Sequence, residues 1–147
     1  MLQKYQSEFQ NWIEKEKKAI ELINVVGKLW FDRSIELVLF RKPLFDIGSS
    51  EILAHHQYAK EVSGKEISIY ETLELANAIL SSNLAPSRID IGRLASEWLD
   101  QNGNGSVNNF VISQLSAHIG KDKFKLQPKD VVLYGFGRIG RIAAREL

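Results

Sequence analysis

The chain has 147 residues, enough for one domain of ordinary size, and its 44% apolar and 25% charged residues suit a folded protein rather than a disordered one. A formal net charge of +1 gives no global attraction to nucleic acid or to an acidic membrane. With no cysteine, disulfides, thiolate metal sites and a thiol nucleophile are all excluded from this segment. The first ten residues lack the apolar core of a signal peptide, and no stretch approaches the roughly 18 apolar residues of a membrane span. A cytoplasmic location, with no membrane and no nucleic-acid partner, is the expectation.

From Tyr5 to Trp30 the apolar residues Tyr5, Phe9, Trp12, Ile13, Ala19, Ile20, Ile23, Val26, Leu29 and Trp30 recur at spacings of three and four. This predicts one long amphipathic helix, with Glu14, Lys15, Lys17, Lys18 and Glu21 on the opposite face. Packing of the aromatic stripe on the rest of the domain is preferred over a cofactor or partner groove. Asp32–Phe45 is ambiguous. Ser34–Phe40 partly alternates and is rich in strand formers, so a short strand is open, while Asp32 or Ser34 could instead cap a helix, and Pro43 ends either. An irregular or extended connection is favoured slightly.

Gly48-Ser49-Ser50 with Glu51 begins a second helix that runs to about Val62 and stops at Ser63-Gly64. His55 and His56 fall inside it. Adjacent positions diverge by about 100° on a helix, so the pair does not chelate one metal, and neither has a ligand at i+4. Ser68-Ile69-Tyr70-Glu71 has capping-box form and opens a third helix, Tyr70 to Ser81, with Leu73, Ala76 and Leu80 on its apolar face. Pro86-Ser87-Arg88 reads as a turn. Asp90 caps a fourth helix through Leu94, Trp98 and Leu99 that ends at Asn102-Gly103.

Asp100–Ser106 resembles the first half of a calcium loop, but Val111 stands where the bidentate glutamate belongs, so no metal site is assigned. A glycine-rich connection with Ser106 capping the next helix fits better. That fifth helix spans about Val107 to Ile119, with Phe110, Val111, Leu115 and Ile119 inward and Gly120 as its stop. Ile91–Leu99 carries one arginine and Val107–Ile119 no lysine or arginine, which argues against a DNA-reading helix-turn-helix. Lys121–Asp130 is charged, loses periodicity and contains Pro128; it reads as a linker between a helical domain (residues 1–120) and the C-terminal residues 131–147.

Residues 131–147 begin with an apolar run, Val131-Val132-Leu133-Tyr134, followed at once by Gly135-Phe136-Gly137-Arg138-Ile139-Gly140 and by residues able to form a helix. This is the order a dinucleotide turn requires. The first glycine allows the tight turn, the second lets the backbone approach a pyrophosphate, and the third lets helix and strand pack closely. The fold class is therefore mainly α: about five helices, then the first strand, glycine turn and partial helix of a Rossmann fold. A second parallel strand and an acidic residue roughly 20 positions on, which hold the ribose, are not within the sequence.

The string Gly135-Phe136-Gly137-Arg138-Ile139-Gly140-Arg141 is similar to the N-terminal signature of glyceraldehyde-3-phosphate dehydrogenase, departing at Tyr134, where that family usually has asparagine. The roughly 130 preceding residues resemble, in length and pattern, the helical extension of the long bacterial form. The resemblance implies an N-terminal part of an NAD- or NADP-dependent enzyme that oxidises glyceraldehyde 3-phosphate with phosphate to 1,3-bisphosphoglycerate, as a homo-oligomer. It assigns cofactor binding to Gly135, Phe136, Gly137, Arg138, Ile139 and Gly140, with the Arg138 and Ile139 N–H groups near the pyrophosphate. It assigns no catalytic residue here, because the family's cysteine and histidine would lie past residue 147. These 147 residues alone are expected neither to catalyse nor to bind the cofactor tightly. The alternative is a stand-alone helical interaction or regulatory module with a remnant glycine turn.

Overall fold

The computed structural model describes residues 2–101, 105–120 and 132–146. Among these residues, six α-helices and a small three-stranded sheet follow the order α1 (Leu2–Arg33), β1 (Ile35–Leu39), β2 (Lys42–Pro43), α2 (Ser49–Ser63), α3 (Ile69–Ser81), β3 (Ser87–Asp90), α4 (Ile91–Asp100), α5 (Val107–Gln114) and α6 (Arg138–Glu146). The mainly helical class expected from periodicity is what is found.

Several of the local helix signals act at the residues that carry them. Gly64 takes the left-handed conformation (φ 68°) that closes α2, its N–H bonding back to the Lys60 carbonyl. Ser68 and Glu71 form a complete capping box on α3. Asp90 caps α4 by accepting from the N–H groups of Gly92 and Arg93. The first helix, however, runs past both predicted ends, and its close to Ser34 (φ 53°) carries a backbone bond from Ser34 to Trp30.

Three expectations need correction. The ambiguous stretch after α1 is a hairpin: β1 and β2 pair antiparallel, with Leu39 opposite Lys42. The turn predicted at Pro86-Ser87-Arg88 is instead the entry to β3, which pairs parallel to β1 with Ile35 opposite Ser87 and Val38 opposite Asp90. Its burial alternates weakly over four residues, too short a run for the period-two signal to stand out. The fifth helix stops at Gln114 rather than Ile119 and passes into a 3₁₀ turn at Ser116–His118. Ser106 occupies its N-cap position, but the serine side chain makes no capping bond. The turn is held by tertiary bonds: Ala85 donates to the His118 carbonyl, and Gly120 (φ 70°) donates to Asn83.

The core gathers one face of α1 (Leu22, Val26, Leu29), the buried strand β1, and α3 through Leu75 and Ile79; α4 and α5 add Trp98 and Phe110, whose rings meet at 5.0 Å. β1 is central in the sheet, which is why its residues read as a nearly continuous apolar run rather than a clean alternation. The predicted linker at residues 121–130 and the helix stop at Asn102-Gly103 lie outside the described residues, as does part of the calcium-like loop. Its Asp100 is instead paired with Lys65 at 2.6 Å.

Candidate cofactor turn

The glycine string forms a turn whose three glycines have different physical roles. Gly135 sits at φ 98°, a backbone conformation that L side chains rarely adopt. Gly140 packs so closely on the start of the turn that a Cβ there would overlap the Gly135 carbonyl oxygen. Gly137 is different: a Cβ on it would meet no atom within 4 Å. Two of the glycines are thus needed by the turn itself, and the third leaves open space above it.

α6 begins directly after Gly137, and the Arg141 N–H closes its first turn onto the Gly137 carbonyl at 3.0 Å. The N–H groups of Arg138 and Ile139 precede that bond and have no upstream helical carbonyl to reach. Free N–H groups of this kind at a helix N-terminus are able to bind an anion. Val132, Leu133 and Tyr134 lead into the turn and, with Arg138, Ile139 and Ala143, line an open concavity of about 560 Å³. Phe136 and Ile139 are exposed, and no residue of α6 is buried. Val132–Tyr134 form no strand, so the first strand expected before the glycine turn is not found among the described residues; a lone run without a parallel neighbour has no partner for its backbone groups.

The two histidines are structural in one case and half-engaged in the other. His56 is buried between α2 and α3; its Nδ1 donates to the Ile52 carbonyl at 2.7 Å, so its Nε2 accepts from the Thr72 hydroxyl at 2.8 Å. Burial holds its pKa below the ordinary value, against the pull of the Ile52 bond. His55 points to the other side, where its Nε2 lies 3.9 Å from Glu51 Oε1, one turn earlier. A search for partners at i+4 alone misses this one at i−4. Burial and the Lys42 charge also depress the His55 pKa, with Glu51 opposing. Its Nδ1 is buried without a hydrogen-bond partner. No cluster of three or more potential metal ligands occurs among the described residues. No helix among them is long and apolar enough to cross a membrane.

No protein-family model matches the chain. It is 28% identical over 129 residues to a glyceraldehyde-3-phosphate dehydrogenase-like protein of Pseudomonas aeruginosa (strain UCBPP-PA14), an alignment covering 86% of this chain and 28% of that protein. An alignment of this length cannot rest on the glycine turn alone; it must run through most of the helical segment. The chain spans little more than a quarter of that relative, and its relationship to glyceraldehyde-3-phosphate dehydrogenase-like proteins is a distant one.

Proposed function

We infer that the segment is the N-terminal part of an NAD(P)-dependent dehydrogenase acting on glyceraldehyde 3-phosphate. The observation that carries this reading is the contrast among the three glycines. The turn's own geometry requires Gly135 and Gly140, whereas nothing among the described residues requires Gly137 to lack a side chain. A group approaching the backbone from outside accounts for the third. A pyrophosphate would sit over Gly137 against the N–H groups of Arg138 and Ile139, where the unpaired donors and the helix dipole both favour negative charge. Gly135 and Gly140 would hold the shape of the cradle, and Phe136 would flank it.

When bound, the nicotinamide cofactor supplies the hydride acceptor. The residues of this segment contribute anchoring and orientation of its phosphates. They hold no thiol to attack an aldehyde, so oxidation and phosphorolysis would be carried out by the rest of the enzyme. The alignment with the Pseudomonas protein is too long to be confined to the glycine turn, so the likeness to a glyceraldehyde-3-phosphate dehydrogenase-like protein includes the helical segment, which supports reading that segment as part of such an enzyme.

The test is an assay of the longer polypeptide containing this segment for NAD- and NADP-dependent oxidation of glyceraldehyde 3-phosphate with phosphate present. Turnover with either cofactor supports the reading. A folded, full-length product that neither binds nor reduces NAD or NADP would leave the helical interaction module as the better account. The 147 residues alone should bind NAD only feebly, since the ribose-holding strand is missing; micromolar affinity by calorimetry would contradict this.

A further inference from the structure

Tyr5, Trp12, Ala19 and Val26 recur every seven residues along α1 and so lie on nearly one line of the helix surface. The second half of that line is core: Ala19 is 0% exposed and Val26 2%. The first half is not. Tyr5 is 65% exposed and Trp12 53%, and Phe9, between them in sequence and 61% exposed, stacks on Trp12 with ring centroids 5.9 Å apart. The same helix face is thus covered by the protein body over its C-terminal half and left bare over its N-terminal half. Three neighbouring aromatic side chains on one face form a patch rather than a scatter of single exposed residues. Trp12 also borders an open groove of about 570 Å³, floored by Leu53 and Ile67.

The charges beside the patch say what would cover it. Glu8 and Lys15 lie seven residues apart on one flank of the aromatic row, in the position that heptad pairing uses for interhelical ion pairs. Glu8 is otherwise only loosely paired with Lys4, at 4.0 Å.

We propose that the N-terminal half of α1 pairs antiparallel with the same segment of a second copy of this chain. With Phe9 set against the partner's Trp12, Glu8 faces the partner's Lys15. The two-fold axis repeats that contact, so one surface is complementary to itself twice over. Glu16, at the next seam position, meets the phenol of the partner's Tyr5, a hydrogen-bond donor. The in-register parallel pair is disfavoured on the same residues. It sets Glu16 against the partner's Glu16 in an apolar seam, and it leaves Glu8 and Lys15 facing isoleucines at positions 13 and 20. This pairing is independent of whether the glycine turn serves a dehydrogenase.

The experiment is sedimentation equilibrium of the 147-residue chain from low to high micromolar concentration, with circular dichroism and urea unfolding of every variant as the control for folding. The wild type should show a concentration-dependent dimer, and Trp12→Glu should be monomeric with its fold intact. Glu8→Lys and Lys15→Glu should each weaken the dimer by about tenfold, because each turns both flanking contacts repulsive. An equimolar mixture of the two variants should recover wild-type affinity, since every flanking contact across the mixed interface again joins opposite charges. A wild type that stays monomeric, a Trp12→Glu variant that still dimerises, or a mixture no tighter than its components would overturn the proposal.

Discussion

The Asp90 carboxylate accepts a hydrogen bond from the Phe40 backbone N–H at 3.0 Å, joining the start of α4 to the β1–β2 turn. The same oxygen caps the helix through the Gly92 and Arg93 N–H groups at 3.1 and 3.2 Å. One side chain therefore satisfies three backbone donors from two elements. The turn needs the support: its central residues, Phe40 and Arg41, both have positive φ (46° and 71°), without glycine or asparagine to ease the strain.

Asp90→Ala should consequently cost more than an ordinary cap. Loss of a capping side chain removes about 1 kcal/mol, and stranding the Phe40 N–H in a half-buried site adds about 1–2 kcal/mol. Asp90→Asn, which keeps the acceptor oxygen, should retain most of the stability that the alanine variant loses. Urea unfolding of the three proteins checks this, and equal stabilities for Asp90→Ala and wild type would show that the cap carries little.

Gly92 has a packing reason to be glycine. A Cβ there would lie 2.8 Å from two ring carbons of Phe40 and 2.9 Å from a Leu39 methyl. The Phe40 ring is partly buried against the core, which limits how far it can move aside. Gly92→Ala should therefore destabilise the protein by about 1–3 kcal/mol through overpacking, even though alanine is the better helix former. A higher urea midpoint for the variant would mean that the ring relocates at little cost.

These contacts also mark which parts of the fold are legible in the sequence. Caps are local, so Ser68–Glu71, Asp90 and Gly64 announce their helices within a few residues. The hairpin is not legible at that level, because its two-residue turn is Phe40-Arg41; positive φ there is stabilised by Asp90, fifty positions away. β3 reads as a turn because Pro86 and Ser87 are turn residues and its parallel pairing with β1 is wholly non-local. In the glycine turn, the pattern locates the residues, but only the backbone distinguishes a glycine needed by the turn from one whose Cβ position is open space.

Acid should destabilise the fold before its carboxylates titrate. His55 and His56 both have folded-state pKa values below 6.5, principally through burial. Below that value the unfolded chain binds protons that the folded chain resists, so their contribution is full above about pH 6.5 and is lost as pH falls through the folded values. Urea unfolding between pH 5 and 8 should show stability falling toward acid, with a smaller slope in His56→Gln. Thr72→Val is a companion test. It strands the buried His56 Nε2 and should cost about 1–3 kcal/mol at neutral pH. An unchanged slope in His56→Gln would remove that histidine from the account.

The glycine turn allows structure and binding to be separated by two substitutions. Gly140→Ala forces a methyl group into the Gly135 carbonyl, so it should distort the turn and weaken any cofactor binding through that distortion. Gly137→Ala places its methyl in open space and should leave the turn as it is. If a pyrophosphate lies over Gly137, that methyl stands where the phosphate must approach, and NAD(P) affinity of the longer polypeptide should fall by about tenfold or more. Amide chemical shifts of residues 132–146 report the turn, and calorimetry reports the affinity. Unchanged shifts with lost affinity in Gly137→Ala are the expected pair of results. Unchanged shifts with unchanged affinity would mean that no ligand comes close to Gly137, and the reason proposed for that glycine would fail.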